Sequence, residues 1–400
     1  MNLPAARHPV VHMYVRALGP KYDFAIASSD PEAVAASFPH VQCLGVDPNY
    51  SLRSLLGIRP RPLDSNNQPT PEARSSVDAT ASSEKGVDIG LLINQIHTTL
   101  WRVLRYARQC KPAAIIAIDG ELLPTARLLA ALLRVPYCYV MCEIFPNQYD
   151  WTTRRFSKTL AVIEKYGVGG ASKVFTPDVA LSKLLARRYG LDRSKFVEVC
   201  TCQDVPAQSA TGKIHSPLRI YYHGGYTAGR GIENLILAMS QLSGAHLYMR
   251  VMGPQVEMLR NLARKNHLEE RITFVEPVRV DELPAASTEF DVGVIVACPT
   301  TANGRFVLGY KFFEYMAAGL SIVCPRSHVL GPFLERHPIG ATYVGCGVDA
   351  IAAAIRHCVE NPEKIALWKK EARALAERKF NTGAQGIRLR QAVDECLDKL

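Results

Sequence analysis

The 400-residue sequence contains no run of about 18 charge-free apolar residues, the length that an α-helix needs to cross a bilayer. Its first residues, MNLPAARHPVVHMYVRAL, also lack the continuous apolar centre of a signal peptide. We therefore expect a cytoplasmic protein that has no membrane-spanning segment.

Two further patterns are missing. No basic block is interleaved with aromatic residues, which is the pattern that binds single-stranded nucleic acid. The close cysteine pairs Cys138/Cys142 and Cys200/Cys202 have no second pair at the spacing of a zinc finger. The 11 cysteines are odd in number and scattered, which favours reduced thiols packed as small apolar residues. We predict no nucleic-acid partner, no bound metal and no cofactor.

Positive charge is in excess. The formal net charge is +10, which an anionic membrane surface or anionic substrates would explain. The cations are dispersed, with one modest cluster in WKKEARALAERKF (Trp368 to Phe380). That cluster is either a solvated helix face or a patch for peripheral attachment to anionic lipid. The inner face of the plasma membrane therefore stands beside the cytoplasm as a predicted location.

The order of the elements predicts two α/β domains. Apolar strands such as AAIIAID, PYCYVMC, LRIYYH and LSIVC alternate with helices, which is typical of parallel sheets covered on both faces. We assign the first domain to residues 1–208, the second to 209–380 and a C-terminal helix to 381–400. Residues 59–87 have almost no large apolar residue, so we predict a mobile low-complexity loop there. Two such domains imply a cleft between them, beside the carboxyl ends of the strands.

The segment HGGYTAGRGIENLILAM (His223 to Met239) connects a predicted strand to a predicted helix. Gly224 and Gly225 allow close approach to the backbone, and Arg230 adds a cation that can grip a phosphate. A phosphate group is the predicted ligand, and a tight turn whose glycines serve only packing is the alternative. Gly231 stands where a nucleotide triphosphatase needs a hydroxyl for Mg²⁺, so that activity is not expected.

A later segment, NGRFVLGYKFFEYMAAGLSIV (Asn303 to Val323), carries a family resemblance together with YYHGGYTAGRGIENLILAM. Both resemble the retaining glycosyltransferases of family four, strongly in the second half of the chain and weakly before it. The resemblance implies the GT-B architecture: an α/β fold of two Rossmann-like, doubly wound domains with an interdomain cleft. It also implies transfer of a hexosyl unit from a nucleotide-sugar to a glycan or lipid-linked acceptor, with retention of the anomeric configuration. Such chemistry in this fold needs no protein-bound metal.

The resemblance also implies roles for donor-binding residues. Arg230 and Lys311 would hold the diphosphate beside the backbone of Gly224 and Gly225, and would stabilise the charge that builds on it as it leaves. Glu314 would accept hydrogen bonds from the two ribose hydroxyls. Lys311 and Glu314 are three positions apart on a predicted helix, so they share one face. The alternative for this pair is a surface ion pair.

Other candidates lie at the edges of this pattern. The base is expected near Val278 in VEPV (Val275 to Val278), and Gly253 either borders the same cleft or forms a simple turn. Glu143 and Asp119 are the acceptor-side acid/base candidates, so the predicted catalytic set is Arg230, Lys311, Glu143 and Asp119. For each carboxylate, a helix cap or a buried ion-pair partner is the alternative.

The sequence departs from the family pattern at several places. Gly225 stands where some relatives have an arginine, and Gly309 and Tyr310 stand where some have proline and asparagine. Phe306 stands where many relatives have a glutamate that holds the donor sugar, and Cys142 stands where relatives often have a histidine. The segment MNLPAARHPVVHM opens inside the first turn of the pattern, so the first strand is either supplied differently or missing. These departures keep two other functions open. One is a catalytically weak GT-B subunit that binds a sugar nucleotide or a partner transferase, and the other is a nucleotide-sugar epimerase.

Overall fold

A computed structural model describes residues 9–28, 31–45, 101–144, 154–208, 214–226, 230–253, 255–298, 302–306 and 308–398. The predicted loop at 59–87 lies outside these residues. The chain divides into two compact units. The larger unit contains the described residues of Arg7–Asp23 and Ala113–Leu400, and the smaller unit contains those of Phe24–Pro112.

Strands and short helices alternate along the described chain. The strands are β1 (Ala25–Ser28), β2 (Gln42–Gly45), β3 (Ile115–Ile118), β4 (Tyr137–Val140), β5 (Lys173–Thr176), β6 (Phe196–Glu198), β7 (Leu218–Gly225), β8 (Ala245–Met252), β9 (Ile272–Phe274), β10 (Val292–Val294), β11 (Ser321–Pro325) and β12 (Gly340–Tyr343). The helices are α1 (Pro9–Leu18), α2 (Pro31–Ser37), α3 (Leu123–Leu133), α4 (Arg154–Gly170), α5 (Val179–Tyr189), α6 (Ile232–Ala238), α7 (Val256–Lys265), α8 (Leu283–Ala286), α9 (Ala302–Arg305), α10 (Tyr310–Ala318), α11 (Leu330–Arg336), α12 (Val348–Glu360), α13 (Pro362–Arg378) and α14 (Thr382–Leu397).

The smaller unit contains a two-stranded parallel sheet. Strand β1 pairs with β2, and Ala25 lies opposite Gln42. Helix α2 lies in the crossover between the two strands, because parallel neighbours cannot be joined by a tight hairpin. Residues 101–110 are helical as well.

The first sheet of the larger unit has the order β3-β4-β5-β6, and every pair in it is parallel. All four residues of β4 are buried, because helices cover both faces of a parallel sheet. Tyr139 at its centre packs in a hydrophobic cluster with residues of α3 and α5. The predicted strands AAIIAID and PYCYVMC are therefore confirmed.

The second sheet has the order β12-β11-β10-β7-β8-β9, also all parallel. Counted from β7 as the first of its six strands, this is the doubly wound order 3-2-1-4-5-6 read from one edge. Its strand order reverses between β7 and β10, and the carboxyl ends of such strands are where open α/β sheets bind ligands.

Both faces of β7 are buried, which explains its apolar sequence. Ile220 and Tyr222 belong to the hydrophobic cluster that contains α6, whereas Tyr221 belongs to the cluster that contains α10. The first sheet ends at Glu198 and the second begins at Leu218. The domain limits at 1–208, 209–380 and 381–400 stay predictions.

The last helices hold part of the predicted cationic cluster inside the fold. Lys369 in α13 is 5% exposed, and its ammonium donates to Asp291 Oδ1 at 3.1 Å. Arg390 in α14 donates to the carbonyl of Ala17 in α1 at 2.6 Å. The cluster is thus not wholly a solvated face. Among the helices that the structure describes, none is long and apolar enough to span a membrane.

Candidate active site

Lys311 covers the backbone of Gly224 at the carboxyl end of β7. Gly224 has a φ of +132°, and a Cβ built on it would lie 2.6 Å from Lys311 Cε and 2.8 Å from Nζ. A glycine meets both demands, since it tolerates positive φ and leaves room for the lysine. The ammonium also lies 5.7 Å from the centre of the Tyr222 ring. Burial lowers the pKa of Lys311, the Glu314 carboxylate opposes this shift, and Arg230 adds to it.

Glu314 is buried next to His223. Glu314 is 2% exposed, which excludes the alternative of a surface ion pair with Lys311. Its Oε2 lies 2.7 Å from His223 Nε2. Burial lowers the pKa of His223 although the hydrogen bond to Glu314 opposes the shift. Because a carboxylate only accepts hydrogen bonds, the neutral imidazole carries its proton on Nε2 and donates it to Glu314.

Arg230 faces Glu143, which follows the first sheet. Nη2 of Arg230 lies 3.8 Å from Oε1 of Glu143, and the two side chains are 53% and 39% exposed. A solvated pair of this kind contributes about 0–1 kcal/mol, so either group can exchange its partner at little cost. Since the charge of Arg230 also lowers the pKa of Lys311, the two predicted diphosphate cations lie within electrostatic reach of each other.

Asp119 meets a cysteine and a tyrosine. Its backbone has a φ of +69°, a left-handed conformation that is uncommon outside glycine, and its N–H donates to Val140 O at 3.1 Å. The thiol of Cys142 donates to Asp119, and the hydroxyl of Tyr310 donates to the same sulfur. Burial raises the pKa of Cys142, and the negative charge of Asp119 raises it further. A neutral thiol therefore stands where the resemblance places a histidine.

Asn303 in α9 forms hydrogen bonds with the segment that follows β4. Its Oδ1 accepts from the N–H of Ile144 at 2.8 Å, and its Nδ2 donates to Glu143 Oε2 at 3.4 Å. Phe306, which lies just beyond α9, packs against the hydrophobic cluster of the first sheet, and its ring centre lies 5.2 Å from that of His328. An apolar contact thus occupies the position where many relatives have a sugar-binding carboxylate.

Gly225, Gly253 and Val278 lie along the same edge of the second sheet. Gly225 ends β7 and pairs with Met252, and Gly253 directly follows β8. Gly253 has a φ of +111°, and the nearest atom to a Cβ built on it is Gln255 Oε1 at 3.3 Å. A Cβ at position 253 would therefore not meet Lys311, in contrast to one at position 224. Val278 lies in the segment after β9 and is partly buried.

Arg250 holds the segment VEPV, where the base is predicted to bind. It is 8% exposed, its Nε donates to the Tyr221 hydroxyl at 2.9 Å, and its Nη1 donates to the carbonyl of Glu276. Sequence reasoning missed Arg250, as well as His223 and Asn303. The available signals were a charged residue within the apolar strand HLYMRVM and a histidine at the end of LRIYYH.

Two cysteines correct the expectation of reduced thiols throughout. Cys298 and Cys346 form a disulfide, with their Cα atoms 5.1 Å apart. Their separation of 48 positions gave no signal in the sequence. Cys138 and Cys202 are free and buried, as predicted for small apolar residues, whereas their neighbours Cys142 and Cys200 are free and only partly buried. Within the described ranges, no group of three or more His, Cys, Asp or Glu side chains is arranged to hold a metal ion.

Comparisons with known proteins bear on this arrangement. Residues 207–375 match the family model described as "Glycosyl transferases group 1". A GDP-mannose-dependent alpha-(1-6)-phosphatidylinositol monomannoside mannosyltransferase of Mycobacterium tuberculosis is 28% identical over 215 residues, 52% of this chain and 50% of that relative. The matched region thus spans about half the length of this curated relative.

Solved structures are similar over more of the chain. A glycosyltransferase from Rickettsia africae superposes with a TM-score of 0.67 at 12% identity, over 98% of this chain and 95% of that one. Anabaena HepE in complex with UDP superposes with a TM-score of 0.60 at 16% identity, over 74% and 82%. These likenesses show the fold, and they confirm the predicted GT-B, α/β architecture. The family match and the relatives also support the predicted enzyme class, a glycosyltransferase that uses a nucleotide-sugar.

Proposed function

We propose that this protein transfers a hexosyl unit from a nucleotide-sugar to a glycan or lipid-linked acceptor, with retention of the anomeric configuration. The observation that carries the proposal is the approach of Lys311 to Gly224 where the strand order reverses between β7 and β10. A cation held against bare backbone at this edge is suited to a diphosphate, because the ligand meets both charge and close main-chain contact.

The donor diphosphate would lie between Lys311 and Arg230. The two side chains differ in how firmly they are held, because Lys311 packs against Gly224 while Arg230 is largely solvated. Lys311 would mark the position of the diphosphate, and Arg230 would close on it with paired hydrogen bonds. As the bond to the sugar breaks, negative charge builds on the diphosphate, and both cations stabilise it.

The nucleoside would extend from this point along the carboxyl edge of the sheet. Glu314 lies one helical turn from Lys311 and would accept hydrogen bonds from the ribose hydroxyls. The base would meet the backbone of the VEPV segment near Val278. Arg250 would keep that backbone in place through its hydrogen bond to the Glu276 carbonyl.

On the acceptor side, the contact between Arg230 and Glu143 would change when the diphosphate binds. A diphosphate carries more charge than one carboxylate, so it would draw Arg230 away from Glu143. Glu143 would then be free to accept a proton from the acceptor hydroxyl. Asp119 would be the second acid/base group. The thiol of Cys142 would keep its carboxylate oriented, and the hydroxyl of Tyr310 would hold that thiol.

The relatives indicate which substrates to test first. The mycobacterial relative is named for GDP-mannose and for a phosphatidylinositol mannoside, a glycolipid. Anabaena HepE was solved with UDP. We propose a lipid-linked or glycan acceptor at the inner face of the plasma membrane, where the protein would bind peripherally. The net charge of +10 and the exposed cations Lys370, Arg378 and Lys379 support that location.

The test is to incubate the purified protein with GDP-mannose, UDP-glucose and other nucleotide-sugars and to measure free nucleoside diphosphate. Slow donor hydrolysis without acceptor, and faster release with a suitable acceptor, is the expected result. Binding without any release would favour the weakly catalytic subunit. Conversion of the donor into an epimer without release would favour the epimerase.

A further inference from the structure

We propose that His223 is a positioning residue that fixes the carboxylate of Glu314 for the ribose of the donor. This inference rests on the proposed function, in which Glu314 receives the ribose hydroxyls. A glutamate has several rotatable bonds, so a hydrogen bond that holds one oxygen reduces the conformations available to the other. His223 engages Oε2, and Oε1 is then the oxygen that the ribose meets.

The His223 ring is itself held in place. Its backbone N–H donates to the Tyr315 hydroxyl at 3.2 Å, and its ring meets the Tyr315 ring edge-on with centres 5.0 Å apart. On the other side, the Tyr221 ring centre lies 5.4 Å away. His223 is 4% exposed, so it has little room to move. An imidazole clamped between two tyrosines is a rigid support for a flexible carboxylate.

The electrostatic surroundings keep the imidazole neutral. The charged and titratable groups that face it are Glu314 and Lys311 from α10, Arg250 from β8, and the tyrosines Tyr221 and Tyr315. Burial lowers the His223 pKa, and the two cations act in the same direction against the carboxylate. A neutral donor orients Glu314 without neutralising it, which leaves the negative charge available to the ribose hydroxyls.

A second observation argues against a purely structural role. Nδ1 of His223 is buried and has no hydrogen-bond partner among the described residues. A buried polar atom without a partner costs stability, and an aliphatic side chain at position 223 would avoid that cost. The hydrogen bond from Nε2 to Glu314 is a gain that an aliphatic side chain could not supply.

The test compares three variants of His223 that differ in where the side chain carries a hydrogen-bond donor. His223→Gln places its amide nitrogen near the position of Nε2, His223→Asn places it near Nδ1, and His223→Leu has none. Calorimetry would first show whether GDP or UDP binds the wild type more tightly. The variants would then be compared in their affinities for that nucleotide and for its 2′,3′-dideoxy form. Thermal melting would show that each variant is folded.

We expect His223→Leu and His223→Asn to lose about tenfold in affinity for the ribonucleoside diphosphate, with affinity for the dideoxy form unchanged. His223→Gln should restore most of the loss. In the background of Glu314→Ala, a further His223→Leu change should have no effect on either ligand. Equal losses for both ligands, or equal behaviour of the Gln and Asn variants, would overturn the proposal.

The outcome separates this proposal from the proposed function. If the wild type binds neither GDP nor UDP, the function itself fails. If the wild type prefers the ribonucleotide and folded His223→Leu or His223→Asn keeps that preference in full, only the role of His223 fails. His223→Asn is polar and close in size to histidine, so it decides the role of His223 if His223→Leu does not fold.

Discussion

The ammonium of Lys311 lies where the side chain of residue 224 would be if that residue were not glycine. A Cβ on Gly224 would lie 2.8 Å from Nζ and 2.6 Å from Cε. The two residues are 87 positions apart and belong to different elements, a strand and a helix that both end or begin at the same edge of the second sheet. Their contact fixes a cation against bare backbone in the candidate site.

Substituting Gly224 should displace that cation. Gly224→Ala adds a methyl group against the flexible end of Lys311, which will swing away, and it also strains a φ of +132°. We expect about a tenfold loss of affinity for nucleoside diphosphate, measured by calorimetry. Gly190→Ala is the matched control, because Gly190 has a φ of +65° and open space around its Cα. If both variants lose stability and neither loses affinity, Lys311 does not bind the diphosphate.

Arg230→Ala should weaken binding of nucleoside diphosphate by about 1.5–3 kcal/mol, the range for a hydrogen bond to a charged group. Binding of the bare nucleoside should hardly change, because Arg230 is predicted to touch only the phosphates. Arg326→Ala is the control, since Arg326 is also an exposed arginine with an acidic partner, Glu335 at 2.6 Å. Equal losses for nucleoside and nucleoside diphosphate would mean that Arg230 has a structural role.

Removing the competing carboxylate should have opposite effects on binding and turnover. Glu143→Gln frees Arg230 from its partner at 3.8 Å and removes a negative charge near the diphosphate. We expect affinity for nucleoside diphosphate to rise by a few-fold, in line with a solvated ion pair of about 0–1 kcal/mol. Transfer should fall, because Glu143 is the predicted base. A variant with unchanged affinity and full transfer activity would contradict both roles.

The sequence predicts two features best: the alternation of strands and helices, and the position of the glycine-rich segment between a strand and a helix. Period and composition identify strands such as LRIYYH, because residues buried on both faces must be apolar along the whole strand. What could not be predicted is which distant side chains meet. The contacts of Glu314 with His223 and of Glu276 with Arg250 depend on how a helix and a loop pack against the sheet, and no local pattern encodes that packing.

The cysteines show the same limit. Cys142 was recognisable as a departure from the family pattern, but its hydrogen bonds to Asp119 and Tyr310 join residues from three separate elements. The disulfide of Cys298 and Cys346 joins the segment after β10 to the segment before α12, with β11 and β12 between them in the chain. Only the three-dimensional packing brings such residues together, since their spacing in the sequence is arbitrary.

The affinity for nucleoside diphosphate should depend on pH in the alkaline range. Burial lowers the pKa of Lys311 from its ordinary value of 10.5, so the side chain loses its charge at a lower pH than a solvated lysine does. Affinity should therefore be fully present below the lowered pKa and should fall as the pH rises through it. Lys311→Arg stays charged and should remove this fall. An identical alkaline profile for wild type and Lys311→Arg would assign the titration to another group.

The most direct measurement is the initial rate of nucleoside diphosphate release from the best donor, compared between wild type and Lys311→Met. Methionine fills the space of the lysine stem without its charge, and Lys265→Met, at an exposed position in α7, is the control. We predict that Lys311→Met stays folded and loses about a hundredfold in rate, as expected for losing a group that stabilises the leaving diphosphate. Lys265→Met should match the wild type. Release by Lys311→Met at the wild-type rate would contradict the assignment of this edge of the sheet as the donor site.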